Sequence, residues 1–375
     1  VENNGGTCHL EMSDYKKDPG TSGLRPLLML HGGSWQYRGA GYLGQETLVS
    51  HYTDAGFVVF APFYRLAGDK QAGPYCNGVT HDEIIADVDA ALSWTQSNAN
   101  RYGASDSTIT LTGQSAGAYL AASLATRHGA AIDRALLFYP PTDFVHFLNN
   151  IDSGDTVEAE GQNALEAFIG RPVEEIQVTD ADIVALSLPQ QLQNQVGDTP
   201  PMFVVHGLAD TLVPGDQSVR LCNALSGSAD NGPAALDAGD TSAGEFVKTY
   251  ACDSNGSQLH LTAEGQHMLD VCVDFPFLAN TAGLSDACFS GDSSAGREQT
   301  LSTLQASINW LNNSDVGAPA EATESANDEA SVAGTLKDSD SDQSGSSSGG
   351  GALQPLILLG LVAWRISRRK CDPGS

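Results

Sequence analysis

Three features of the 375-residue sequence predict an α/β fold: a mostly parallel central sheet with helices on both faces and a small inserted cap. Short apolar runs of strand length alternate with helix-like segments from about residue 24 to 314, as parallel strands joined by helical crossovers require. Gly113-Gln114-Ser115-Ala116-Gly117 frames a serine between a strand-like and a helix-like run. From Pro141 to Pro200 the strand rhythm stops, which marks an insertion at about residues 142–198.

The first buried strands are expected at residues 27–30 (Leu-Leu-Met-Leu) and 57–60 (Phe-Val-Val-Phe). Each is an unbroken apolar run, as a strand covered on both faces should be. Residues 83–94 follow as a helix, because Ile84, Val88, Ala91 and Leu92 fall near one face. Residues 108–112 (Thr-Ile-Thr-Leu-Thr) alternate and are β-branched, so they read as a strand. Residues 118–127, rich in Ala and Leu, read as a helix. A sharp turn between the two crowds Ser115 and calls for small residues two positions to either side, which Gly113 and Gly117 supply. An ordinary glycine-lined turn is the alternative. Further strands are expected at 135–139, 202–205 and 259–261. The insertion carries Phe144, Phe147, Phe168 and Ile169, and residues 226–245, rich in Gly, Ala, Ser and Asp, read as a surface loop.

A formal charge of −28 leaves no basic stripe to neutralise phosphates, so no nucleic-acid partner is expected. The acidity suits a salty medium, and equally any acidic secreted protein. None of the seven cysteines forms a C-x-x-C pair, so neither metal nor redox spacing is present. Six of them read as up to three disulfides and an oxidising compartment, or else as scattered buried thiols. Cys272 with Cys288 and Cys222 with Cys252 are local pairs, which leaves Cys8 for Cys76. Residues 1–6 are polar and lack Met, so the chain is expected to begin after removal of an export signal.

Residues 1–314 are expected to form the main domain, and residues 315–350, mostly Ser, Gly, Ala, Asp and Glu with hardly a large apolar side chain, a disordered acidic linker. Residues 351–375 combine a short apolar segment with Arg365, Arg368, Arg369 and Lys370. The apolar run at 355–364 falls short of the roughly 20 residues that span a bilayer comfortably. Its basic flank should stay cytoplasmic.

A serine hydroxyl is a poor nucleophile until a base takes its proton, and that base needs a carboxylate to fix its tautomer. Asp210 follows the strand at 202–205, where side chains reach a site at the carboxyl end of the sheet; a turn-forming Asp is the alternative. His267 lies just past the last expected strand. Its rival, His260, sits inside an alternating run and is expected to face cap or solvent, while His206 is expected to be structural. An oxyanion needs main-chain N–H donors aimed at it. His31-Gly32-Gly33-Ser34-Trp35 follows the first strand and offers those of Gly33 and Ser34, to be joined by Ala116. Trp35 and Phe144 are candidates for the pocket wall, with a packing role for Trp35 equally open.

Together these residues resemble the α/β-hydrolase superfamily, and within it the carboxylesterases of the hormone-sensitive-lipase type and the related feruloyl and acetyl xylan esterases. The resemblance spans most of residues 24–314 and includes Phe63-Tyr64-Arg65-Leu66, Asp87 to Trp94 and Tyr102-Gly103. It implies hydrolysis of a small-molecule or polysaccharide-linked ester through an acyl-enzyme, without metal or cofactor. Two departures stand out: the third oxyanion glycine is Ser34, and the gap from Asp210 to His267 is long. A peptidase or polysaccharide deacetylase using the same three residues, or a non-catalytic surface binding module, are the rival readings. The end of the chain resembles the bacterial Gly-Gly sorting tail, with Ser346 to Gly351, the apolar segment and the basic cluster as its parts. That implies a Gram-negative protein exported to periplasm, cell surface or medium, transiently inserted in the membrane and cut by a rhombosortase-like protease. A simple C-terminal anchor is the alternative, and Cys371 would stay on the cytoplasmic side.

Overall fold

The computed structural model describes residues 1–313, apart from residues 4, 39–47, 69–74, 153–158, 194–198, 228–246, 254, 275–287 and 290–292. A small antiparallel ribbon, β1 (Glu2–Asn3) with β2 (Gly6–Thr7), precedes the main sheet. The main sheet holds β3 (Met12–Tyr15), β4 (Arg25–Leu30), β5 (Phe57–Pro62), β6 (Ile109–Gln114), β7 (Ile132–Phe138), β8 (Met202–Gly207), β9 (Val247–Ala251) and β10 (Gln258–Thr262). Their spatial order is β3-β5-β4-β6-β7-β8-β10-β9. The six inner strands run parallel, and β3 and β9 close the two edges antiparallel.

Every expected inner strand is present, for the reason the apolar runs suggested. Leu28 and Leu30 of β4 join one hydrophobic core, and Leu27 and Met29 join the other, on the opposite face. With side chains alternating across the sheet, a strand buried on both faces reads as a nearly unbroken apolar run, and the buried Thr110 and Thr112 of β6 are among the exceptions. The first core is covered by α1 (His81–Asn98), α2 (Ala116–Arg127) and α7 (Asp216–Leu225); the second lies under α8 (Leu269–Asp274) and α9 (Ser293–Asn312). Between β7 and β8, at the expected insertion, come α3 (Phe144–Asp152), α4 (Ala159–Ile169), α5 (Ala181–Leu186) and α6 (Leu188–Leu192).

The sequence reading missed both edge strands. Met12–Tyr15 contains Ser13 and Asp14 and is only partly buried, so it carries no apolar run to announce it. Val247–Ala251 is likewise mixed.

Three disulfides join Cys8 to Cys76, Cys222 to Cys252 and Cys272 to Cys288, the pairs expected. Arg65 forms a buried bidentate ion pair with Asp87, Nε to Oδ2 and Nη2 to Oδ1 both at 2.8 Å, which holds the chain after β5 onto α1. Among the described residues, no helix is long and apolar enough to cross a membrane. The expected linker at 315–350, the tail at 351–375 with Cys371, and most of the expected loop at 226–245 lie outside the described residues.

Candidate active site

Ser115 occupies the turn between β6 and α2 with φ 52° and ψ −122°, a conformation that an L-residue adopts only when its surroundings impose it. Those surroundings are tight. A Cβ added at Gly113 would lie 2.3 Å from the Gly117 carbonyl oxygen, and one at Gly117 would lie 2.2 Å from that of Leu30. The Ser115 N–H donates to Phe138 O at 2.9 Å, which fastens the turn to β7. The glycine-framed serine is therefore a strained strand-to-helix elbow.

His267 and Asp210 converge on it from loops after β10 and β8. A carboxylate only accepts hydrogen bonds, so His267 Nδ1–H donates to Asp210 Oδ2 at 2.7 Å, and Nε2 is left to accept from the Ser115 hydroxyl at 2.9 Å. Asp210 also makes the turn that was its alternative reading: Oδ1 accepts the N–H groups of Leu212 at 2.9 Å and Val213 at 3.0 Å. The two roles use different oxygens. Burial opposes ionisation of this carboxyl, yet the facing His267 and the hydrogen bonds of His206 and His267 hold it well below the usual carboxylate range.

His206 is structural, as expected, but it also faces the site. Its Nε2–H donates to Val213 O at 2.8 Å and lies 3.4 Å from Asp210 Oδ2, while Nδ1 accepts from Ser218 Oγ at 2.6 Å. His260 departs from its expectation. It faces neither cap nor solvent: its ring stacks on Phe203 at 4.1 Å, with Thr249 and Gln258 as polar partners. Burial pushes its imidazole down to about 4. Strand β10 lies between β8 and β9 in the sheet, and Phe203 of β8 and Thr249 of β9 flank the His260 ring.

The loop after β4 has three successive residues at positive φ: Gly33 at 109°, Ser34 at 55° and Trp35 at 56°. Among the described residues, the N–H groups of Gly33, Ser34 and Ala116 donate to no acceptor. His31 supports this loop from below. It is buried, stacks on Tyr64 at 4.1 Å, and donates from Nδ1 to Gly32 O at 2.8 Å. Desolvation lowers its imidazole to about 4, so it stays neutral.

From Ser115 and Ala116 a cavity, with about 380 Å³ of space counted out to open solvent, extends between Trp35, Phe144, Phe147, Ala164, Leu165 and Val213. Trp35 both lines this cavity and packs: it is 3% exposed and stacks on Phe168 at 4.1 Å. The phenylalanines of the insertion thus meet the loop that carries Gly33 and Ser34.

A second carboxyl went unnoticed in the sequence. Asp270, fully buried in the first turn of α8, accepts from the Tyr139 hydroxyl at 2.6 Å through Oδ1 and from Gln114 Nε2 through Oδ2. Burial pushes its carboxyl up, while these donors and the N–H groups of Asp270 and Val271 act the other way. The available signal was a lone charge inside the apolar run Leu269-Asp270-Val271-Cys272-Val273.

Comparison with known proteins agrees with this architecture. Esterase LipQ of Mycobacterium tuberculosis is 28% identical over 207 residues, covering 53% of this chain and 45% of that protein. A probable carboxylic ester hydrolase of the same organism, LipM, is 25% identical over 219 residues, covering 54% and 45%. The chain thus spans about half the length of the curated relatives it matches. Among solved structures, an acetyl ester-xyloside bifunctional hydrolase from Caldicellulosiruptor lactoaceticus superposes with a TM-score of 0.51 at 16% identity, covering 80% of this chain and 86% of the other. A thermophilic esterase from Thermogutta terrifontis gives 0.51 at 18% identity, covering 84% and 91%. These likenesses show the α/β-hydrolase fold. The BD-FAE family model matches residues 14–225, a stretch that holds Gly33, Ser115 and Asp210 and ends before His267. Since that stretch is more than half of the 375 residues, the chain belongs to the BD-FAE family.

Proposed function

We propose that this protein is a serine carboxylic-ester hydrolase that works through an acyl-enzyme. The observation that carries the reading is His267, hydrogen-bonded at once to Ser115 Oγ at 2.9 Å and Asp210 Oδ2 at 2.7 Å, beside main-chain N–H groups that have no acceptor among the described residues. Ser115 Oγ attacks the ester carbonyl as its proton passes to His267 Nε2. The imidazolium so formed faces the Asp210 carboxylate, which keeps Nδ1 protonated and Nε2 aimed at the serine. The N–H groups of Gly33, Ser34 and Ala116 receive the oxyanion; one such donor is worth about 3 kcal/mol. His267 then protonates the departing alcohol, and water repeats the sequence on the acyl-enzyme.

The acyl group occupies the apolar cavity, and helices α3 and α4 act as the cap that closes it. The alcohol side takes a small molecule or a sugar; the acetyl ester-xyloside activity in the name of the Caldicellulosiruptor lactoaceticus protein supports including sugar esters. We read residues 1–314 as the catalytic unit of an exported protein, with the three disulfides in support.

Ser115→Ala should lower kcat on a short-chain p-nitrophenyl ester by about 10⁶-fold and abolish labelling by a fluorophosphonate. Retention of most of the activity refutes the assignment.

A further inference from the structure

Asp270 is a buried carboxyl for which the reaction has no use, yet both of its side-chain partners adjoin groups that do react. Gln114 immediately precedes Ser115 in the chain. Tyr139 follows β7, and its ring lies against that of His267, with centroids 4.6 Å apart and the planes tilted by 50°. On its other side the same ring meets His206 edge-on at 6.5 Å. Asp270 itself lies three residues beyond His267. One carboxyl group therefore connects the strand of the nucleophile, the end of the neighbouring strand and the segment that bears the base.

We propose that Asp270 is a positioning residue for the ester hydrolysis: through Tyr139 it fixes the ring against which His267 rests, and through Gln114 it ties the histidine segment to the strand that presents Ser115. The inference rests on the proposed function.

The backbone supports this reading. Tyr139 is held at φ 42°, outside the ordinary range for an aromatic residue, with its N–H bonded to Val205 O at 2.7 Å. Such a conformation persists where the surrounding structure holds it, and the hydroxyl of Tyr139 is held by Asp270. Asp270 has no cationic partner among the described residues, so the pair network consists of donors only: a phenol, an amide and two main-chain N–H groups. This suits a carboxylate kept for geometry. Freed from Asp270, the Tyr139 ring can swing and His267 loses its support, which moves Nε2 relative to Ser115 Oγ. Misplacement by about 1 Å costs on the order of 100-fold in rate.

The test compares Asp270→Leu, which removes every acceptor, with Asp270→Asn, which keeps the shape and an oxygen for Tyr139. Asp270→Leu should lower kcat by about 100-fold with KM within about twofold. Asp270→Asn should recover all but a few-fold of the loss. A second readout needs no turnover: the downfield proton resonance of His267 Nδ1–H, bonded to Asp210, should stay sharp in wild type and Asp270→Asn and broaden in Asp270→Leu. Should wild type show that resonance and hydrolyse no ester, the proposed function fails, while the spectra of the variants still decide the role of Asp270. Should Asp270→Leu not fold, Tyr139→Phe takes its place; it keeps the ring and removes the anchoring hydroxyl, and should cost about tenfold in kcat with KM unchanged. A folded Asp270→Leu with wild-type kcat and a sharp resonance overturns the proposal, as does a Tyr139→Phe enzyme indistinguishable from wild type.

Discussion

Position 33 admits no side chain. Gly33 sits at φ 109°, and a Cβ there would lie 2.2 Å from the carbonyl oxygen of Tyr37. That oxygen belongs to a segment whose own N–H groups, at Gln36 and Tyr37, both bond back to Gly33 O at 2.9 Å. Backbone strain and contact act together, so Gly33→Ala should push the loop open and turn the N–H groups of Gly33 and Ser34 away from the oxyanion. The expected loss is about 10²- to 10³-fold in kcat, with binding of a non-reacting substrate analogue little changed. Steady-state kinetics beside analogue titration checks it, and an unchanged kcat refutes it. Residues such as these were legible in the sequence through short spacings: Gly33 and Gly113 face carbonyls four residues away, and Gly117, which must clear the distant Leu30, stands at a fixed two-residue spacing from Ser115. Asp270 was not legible, because the partners that explain it, Gln114 and Tyr139, stand 156 and 131 positions away. His267 lay between these cases. Its place after a strand was visible, but what separates it from His260 is long-range packing: His260 is buried against Phe203, and His267 lies within hydrogen-bonding distance of Ser115.

The secondary-structure elements divide in the same way. Inner strands such as β4 and β5 announce themselves because both faces are buried, whereas β3 and β9 at the edges bear polar residues and were missed. The inserted helices were visible only as a break in rhythm, although they bring Phe144, Phe147, Gly161, Ala164 and Leu165 to the cavity wall. On α4, Ala164 and Leu165 face the cavity across from Trp35 and Phe144. Replacing the small one, Ala164→Phe, should put a ring into this space and leave room only beside Ser115. An acetyl group still fits there, and a longer chain does not. Each methylene in such a pocket is worth about 1–3 kcal/mol, so the ratio of kcat/KM for hexanoate to acetate esters should fall by about 10-fold or more. A panel of p-nitrophenyl esters of rising chain length measures this. If the ratio is unchanged, the acyl chain lies elsewhere and the cavity is only a packing defect.

At the scale of the whole molecule, acid sensitivity should come from two imidazoles that catalysis does not use. His31, under the oxyanion-side loop, and His260, against Phe203, are both buried, and desolvation lowers each from 6.5 to about 4. Unfolding releases them to their ordinary value, so between pH 6.5 and about 4 the unfolded chain binds protons that the folded chain refuses. Stability conferred by their neutral burial is complete above that window and is lost as pH falls through it, by up to about 3 kcal/mol for each histidine. The general charge acts in the opposite sense. A chain with a net charge of −28 repels itself, and protonating carboxylates relieves that repulsion, which favours the compact state on mild acidification. Salt at about 0.15 M screens much of this term and leaves the buried imidazoles unscreened. Urea unfolding of the oxidised protein at pH 7, 5.5 and 4.5 in such a buffer should show falling stability, and His260→Leu, which keeps an apolar contact with Phe203, should remove about half of the slope. Equal slopes in wild type and His260→Leu would mean that His260 takes up its proton in the folded protein, and the burial argument would fail for that residue.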